Sequence, residues 1–218
     1  MITSVEYVNL YMSGVTTTSG ILTKGQIIGN CVPFSSITAS GTSGYQYRIL
    51  TDVWFTNPGT PTVNVQRDNS TGTIEVGIFV VEFDPLKVKV QQGSFSFAGT
   101  STTAAITSVT TSRTAAISHH RCTDGSSQWR YHALRTKIDS ATQLGFTRGV
   151  ASGTITGHWY VFEDIAGTNF RVFTSNIDFA GTEGSADSTS GIRDRMFIIS
   201  SYYTDASDVG YPQRGTCR

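Results

Sequence analysis

Charge is scarce in this chain. Asp, Glu, Lys and Arg make up 15% of its 218 residues, against roughly 25% in an average soluble domain. The 16 basic and 16 acidic residues cancel to a formal charge of zero, so the basic footprint of nucleic-acid binding is missing. Long apolar runs are missing too: none approaches the ~20 residues that span a bilayer, and no membrane insertion is expected. The first ten residues, MITSVEYVNL, lack the basic flank and apolar core of a signal peptide. Cysteine is limited to Cys31, Cys122 and Cys217. An odd, widely spaced set without C-x-x-C predicts buried thiols rather than a disulfide framework or a metal cage. No segment carries a 3.6-residue apolar stripe long enough for a helix. G-x-S-x-G, P-loop, Rossmann and H-E-x-x-H patterns are all missing, so neither catalysis nor a cofactor is expected.

Glycine, serine and threonine fill the space left by charge, the composition of short strands joined by turns. The chain also repeats itself. TGTIEVGIFVVEFD at 71–84 returns as SGTITGHWYVFED at 152–164, with Gly72, Thr73, Ile74, Val80 and Glu82 matched by Gly153, Thr154, Ile155, Val161 and Glu163. Ile78 and Phe79 become Trp159 and Tyr160, still large and apolar. Upstream, Val63, Val65 and Arg67 match Leu144, Phe146 and Arg148 at the same offset of 81. Leu10, Met12 and Gly14 match Phe95, Phe97 and Gly99, then Ile177, Phe179 and Gly181. Thr123 and Asp124 recur as Thr204 and Asp205.

The period of about 80 residues is too long for a solenoid and large enough for a small domain. The expected fold is all-β: tandem antiparallel β-sandwich units over 1–84 and 85–163, with a partial third unit over 164–218. Each complete unit reads as six strands around one core. In the second unit these are VKVQQGSFSFAG, TTAAITSV, TAAISHHR, QWRYHALRTKI, TQLGFTRG and SGTITGHWYVFED. The third unit stops near the position of QWRYHALR, and the strands left over cannot close a sandwich alone. Three explanations are open: further residues follow, the segment is an arm packed on unit two, or strands of another chain complete it.

Few residues invite chemistry. His119, His120, Cys122 and His132 cluster in SHHRCTDGSSQWRYH, but adjacent strand residues face opposite ways and the spacing fits no zinc pattern. Surface or loop histidines are the expectation, with no metal. Glu82, Asp84, Glu163 and Asp164 recur at the end of the last strand of each unit. There a turn or linker contact is a simpler role than half of a catalytic dyad. Arg67 and Arg148 recur at a strand end, as an ion pair or an exposed edge charge. Trp54, Trp129 and Trp159 raise the question of a sugar platform. Trp159 replaces Ile78 and reads as core, while Trp129, Tyr131, Tyr202 and Tyr203 are the candidate glycan contacts.

The segment VVEFDPLKVKVQQGSFSFAGTSTTAAITSVTTSRTAAI resembles virion structural proteins of tailed bacteriophages. They often carry a strand ending in W-x-V-V-E-F, then V-Q-x-G, F-x-x-x-G and T-x-x-I-x-x-V. SATQLGFTRGVASGTITGHWYVFED is similar to the second half of the same unit. The likeness covers most of units one and two and the start of the third. It implies a non-catalytic capsid decoration, head-fibre or tail-adhesin protein, assembled in the host cytoplasm and located in the virion. The implied partners are copies of itself and other virion proteins. An alternative is an adhesin module that grips host glycans, and a third reading is a glycan-cleaving enzyme.

Overall fold

A computed structural model describes residues 1–40, 50–57, 59–125 and 131–168. They form an all-β chain of two tandem sandwiches. The first holds β1 (Ile2–Ser13), β2 (Thr17–Ile21), β3 (Cys31–Ser40), β4 (Asp52–Thr56), β5 (Thr62–Gln66) and β6 (Thr73–Phe83). The second holds β7 (Val88–Phe97), β8 (Ser101–Ala105), β9 (Thr114–Cys122), β10 (Arg135–Ser140), β11 (Gln143–Thr147) and β12 (Ile155–Asp164). Each sandwich is two three-stranded antiparallel sheets, ordered β1-β6-β3 over β2-β5-β4 and β7-β12-β9 over β10-β11-β8. Residues 169–218 lie outside the described residues, and with them most of the expected third unit.

Strand register reproduces the repeat. Leu10 pairs with Val76 and Met12 with Ile74; Phe95 pairs with Gly157 and Phe97 with Ile155. In β6 the alternate residues Ile74, Val76, Ile78 and Val80 enter a core with Leu10, Met12, Val53, Val63 and Val65. Ile155, Trp159 and Val161 of β12 enter the second core with Phe95, Phe97, Leu144 and Phe146. Volume is conserved by exchange across strands. The pair Val8 and Ile78 becomes Gly93 and Trp159, and a Cβ on Gly93 would lie 2.5 Å from the indole. Likewise Leu10 and Val76 become Phe95 and Gly157, where a Cβ would meet the Phe95 ring at 2.8 Å. Such coupled swaps keep packing density where either alone would leave a void or a clash.

Arg67 and Arg148 correct the sequence expectation. Among the described residues neither is an edge charge or an ion-pair partner; they are 0% and 1% exposed and bound to backbone carbonyls. Arg67 donates through Nε to Val15 O (3.0 Å), through Nη1 to Thr71 O, and through Nη2 to the carbonyls of Met12, Ser70 and Gly72. Arg148 donates through Nε to Gly99 O (2.8 Å), through Nη1 to Ser152 O and Tyr131 O, and through Nη2 to Ala98 O and Gly153 O. Each guanidinium thus ties the turn after the first strand to the turn before the last. Gly72 and Gly153 sit at that second turn with φ of 73° and 59°, the left-handed region that favours glycine. Burial lowers both arginine pKa values from their ordinary range.

The planar fork matches this fan of acceptors, which an ammonium with three donors cannot serve. Arg67→Lys or Arg148→Lys is expected to cost about 2–5 kcal/mol of stability, because buried carbonyls lose charge-assisted partners. Urea unfolding of each variant measures the loss; a change under about 0.5 kcal/mol, the range of ordinary surface substitutions, would contradict the assigned role.

Candidate interaction surfaces

Strands β6 and β12 also carry apolar side chains on the face turned away from their own cores. In unit two this outer face is covered by unit one. Val32, Phe83, Val88, Tyr160 and Phe162 form a third buried cluster, flanked by Phe34, Phe55, Val81, Val90, Ala115 and Ile117. Phe83 stacks on Phe162 at 5.8 Å between centroids, while Phe34 and Phe55 meet Phe162 and Tyr160 edge-on. The side of sandwich one formed by β3 and β4 therefore lies against the outer face of the β7-β12-β9 sheet.

Polar contacts fix the angle of this junction. His158 donates through Nδ1 to the Asp52 carboxylate, 2.9 Å from each oxygen, and stacks on Trp54 at 5.3 Å. Asp52 is 2% exposed, so the imidazole provides its carboxylate with a buried hydrogen-bond donor. Tyr160 donates to Val53 O (3.1 Å), and an ion pair joins Arg121 to Asp68. His119 donates through Nε2 to Pro33 O (3.0 Å), which leaves Nδ1 to accept from the Ser35 hydroxyl (3.2 Å).

The histidines are therefore structural, and the expected surface or loop placement is corrected for His119 and His120, which lie on a strand, while His132 does lie in a turn, buried there. His119 and His120 lie half-buried on β9 and turn to opposite faces, as strand alternation requires; His158 lies on β12 and His132 is fully buried. His120 reaches back into its own unit, donating through Nε2 to His132 O at 2.8 Å. Among the described residues no group of three or more His, Cys, Asp or Glu side chains could hold a metal ion. Cys31 and Cys122 are buried free thiols, and burial pushes Cys31 up to about 12.

The recurring acids act on turns. Glu82 accepts from Ile27 N (2.9 Å) and Glu163 from Thr110 N (2.8 Å), each just before a short 3-10 turn, Ile28–Asn30 or Thr111–Arg113. Glu163 also pairs with Arg113 at 3.6 Å on the wall of an open cleft of about 430 Å³ between the units. Asn30, Pro85, Val88, Lys89 and Ile165 contribute to that wall. Asp84 accepts from Leu86 N in the linker.

Of the proposed glycan contacts, Trp129, Tyr202 and Tyr203 lie outside the described residues. Tyr131 is half-buried, and its carbonyl is bound by Arg148 (3.4 Å). Trp159 is core and Trp54 belongs to the junction, so neither shares a platform with Tyr131.

Sequence reasoning missed an exposed apolar surface. On the outer face of the β1-β6-β3 sheet, Val5, Val81 and Val32 form one cross-strand row and Tyr7, Phe79 and Phe34 the next. Phe79 is 49% exposed, whereas its repeat equivalent Tyr160 is 1% exposed. Val5, Tyr7 and Tyr11 are exposed beside it, and Tyr7 packs on Phe79 at 4.9 Å. The signal was present in IFVV at residues 78–81, an uninterrupted apolar run of the kind that marks a strand buried on both faces.

Burial pushes His120 down to about 4 and lowers His119 as well, whereas an unfolded histidine titrates near ~6.5. Between those values the unfolded chain binds more protons, so stability falls as pH drops from about 6.5 toward about 4. Glu6 is desolvated, yet hydrogen bonds from Thr23 and Lys24 hold it below 4.5, so its contribution is lost only at lower pH. The urea midpoint is expected to be lower at pH 5 than at pH 7, and His120→Gln to shrink the difference. An unchanged pH dependence in that variant would count against the burial argument.

Comparisons with protein-family models, curated proteins and solved structures find no match to this chain.

Proposed function

We propose that this chain is a non-catalytic structural protein of a tailed-phage virion, acting by adhesion through β-sheet faces and edges on the particle surface. The observation that carries this reading is the use of its recurring charged residues. Arg67 and Arg148 bind backbone carbonyls, and Glu82 and Glu163 bind backbone N–H groups. What the repeat preserves is a rigid scaffold, and the junction joins two such scaffolds through an apolar core of their own. That is the arrangement a surface subunit needs to transmit load and present a fixed shape. The neutral charge suits dense packing of copies, because repulsion between them is small. The likeness of residues 80–117 to phage virion proteins supplies the particle.

The test is the protein composition of purified virions from the source phage, together with a glycan array and glycan-hydrolysis assays. The reading predicts the chain in many copies per particle and no glycan turnover. Its absence from particles, or turnover lost on substituting a carboxylate, would overturn it. Array binding abolished by Trp129→Ala would instead favour the receptor-binding alternative.

A further inference from the structure

We propose that the exposed outer face of the β1-β6-β3 sheet docks on the same face of a second copy of this chain, closing a twofold dimer. The proposal rests on the structural-protein reading and deepens it by naming the contact through which copies join.

The face continues a surface that already packs. Val5 and Tyr7 of β1 stand in the same cross-strand rows as Val32 and Phe34 of β3, with Val81 and Phe79 of β6 between them. Val32 and Phe34 contribute to the buried cluster between the units. One end of each row is therefore packed against unit two, while at the other Val5, Tyr7 and Phe79 are 41%, 55% and 49% exposed. Tyr11, exposed further along β1, lengthens the surface. In unit two the equivalent face is closed, with Tyr160 in the place of Phe79 at 1% exposure.

The occupant follows from what the face lacks. Among the outward side chains of β1, β6 and β3, Glu75 alone carries a formal charge, and it accepts a hydrogen bond from Asn9 in the next row. No cluster of one sign is present to recruit a charged partner, and none is created when the face meets itself. A contact with a different surface of the second copy would need an apolar face there. Among the described residues the other exposed large apolar side chains, apart from Met1 and Ile2 at the start of β1, sit singly. Val15 and Ile27 lie in loops, Ile21 ends β2, and Leu86 and Ile165 follow the last strands of their units. The extended complement that these residues offer is the face itself, and a self-complementary contact closes at two copies.

Size agrees with this. At ~3.4 Å per residue and ~4.8 Å between strands, the 12 residues of β1 and the two neighbouring strands present on the order of 500 Å² per copy. A total of about 1,000 Å² sits at the lower limit for a specific interface, so the dimer is reversible. Asn9, Ser36 and Thr38 on neighbouring rows give the apolar centre the polar rim expected of an interface.

Sedimentation velocity of the full chain across a concentration series is the test, with Phe79→Ser and Tyr7→Ser, both at exposed positions, as variants. The wild type is expected to rise from monomer to a dimer plateau and stop there. The double variant is expected to associate at least tenfold more weakly while unfolding cooperatively in urea. A photo-crosslinking residue at position 7, in a mixture of isotopically light and heavy chains, is expected to capture residues 2–13 or 73–83 of another copy. That measurement decides the matter even if the double variant does not fold. A wild type that stays monomeric, growth beyond a dimer, or a double variant that associates as strongly would each overturn the proposal. So would capture of residues 169–218, which would assign the face to that segment. These results leave virion composition untouched. Absence from virions with dimerisation intact would instead remove the functional reading alone.

Discussion

A charged guanidinium with no water around it must be surrounded by acceptors, and that requirement organises each sandwich. Arg67 and Arg148 can stay charged in the interior only if the carbonyls at the end of the first strand and before the last strand converge on them. That convergence sets the spacing of two turns far apart in sequence and brings the first and last strands side by side. The glycine at positive φ, the strand register and the inward alternation of β6 and β12 are each compatible with one placement of the arginine. Losing it would leave a cluster of carbonyls facing one another without a donor.

The repeat preserves this frame while its filling drifts. Val8 with Ile78 and Gly93 with Trp159 occupy the same places, the second unit putting nearly all the volume on one strand, as do Leu10 with Val76 and Phe95 with Gly157. A pairing position in a sheet constrains the sum of two volumes more than either one. The polar frame has no such freedom, because a hydrogen bond to a fixed carbonyl cannot be shared out between neighbours. Identity therefore survives at Arg67/Arg148, Gly72/Gly153 and Glu82/Glu163, and at the core positions Ile74/Ile155 and Val80/Val161, while the paired positions beside them redistribute their volume.

Much of this was legible in the sequence. Period-two alternation gave six strands in each unit, and the substitution of Trp159 for Ile78 marked a core position. The acids Glu82 and Glu163 were rightly assigned to turns. Arg67 and Arg148 were misjudged because a cation closing an apolar alternation looks the same whether the strand ends in solvent or under a turn. Their partners are main-chain carbonyls, which leave no trace in side-chain patterns. His119 was misplaced for a related reason: it takes its partners, Pro33 and Ser35, from the other unit. The junction itself was written in IFVVEF and WYVF, where outward positions are as apolar as inward ones. Reading those runs as strands buried on both faces would have predicted a third cluster and an unfilled counterpart at Phe79.

The claim most open to direct measurement is that two arginines are sealed inside the protein. Nuclear magnetic resonance of ¹⁵N-labelled arginine side chains resolves each Nε–H and its exchange with water. The account predicts two signals, assigned to Arg67 and Arg148 by substitution, that exchange far more slowly than the remaining arginines and persist at alkaline pH. Exchange at both sites as fast as at an exposed guanidinium would contradict it.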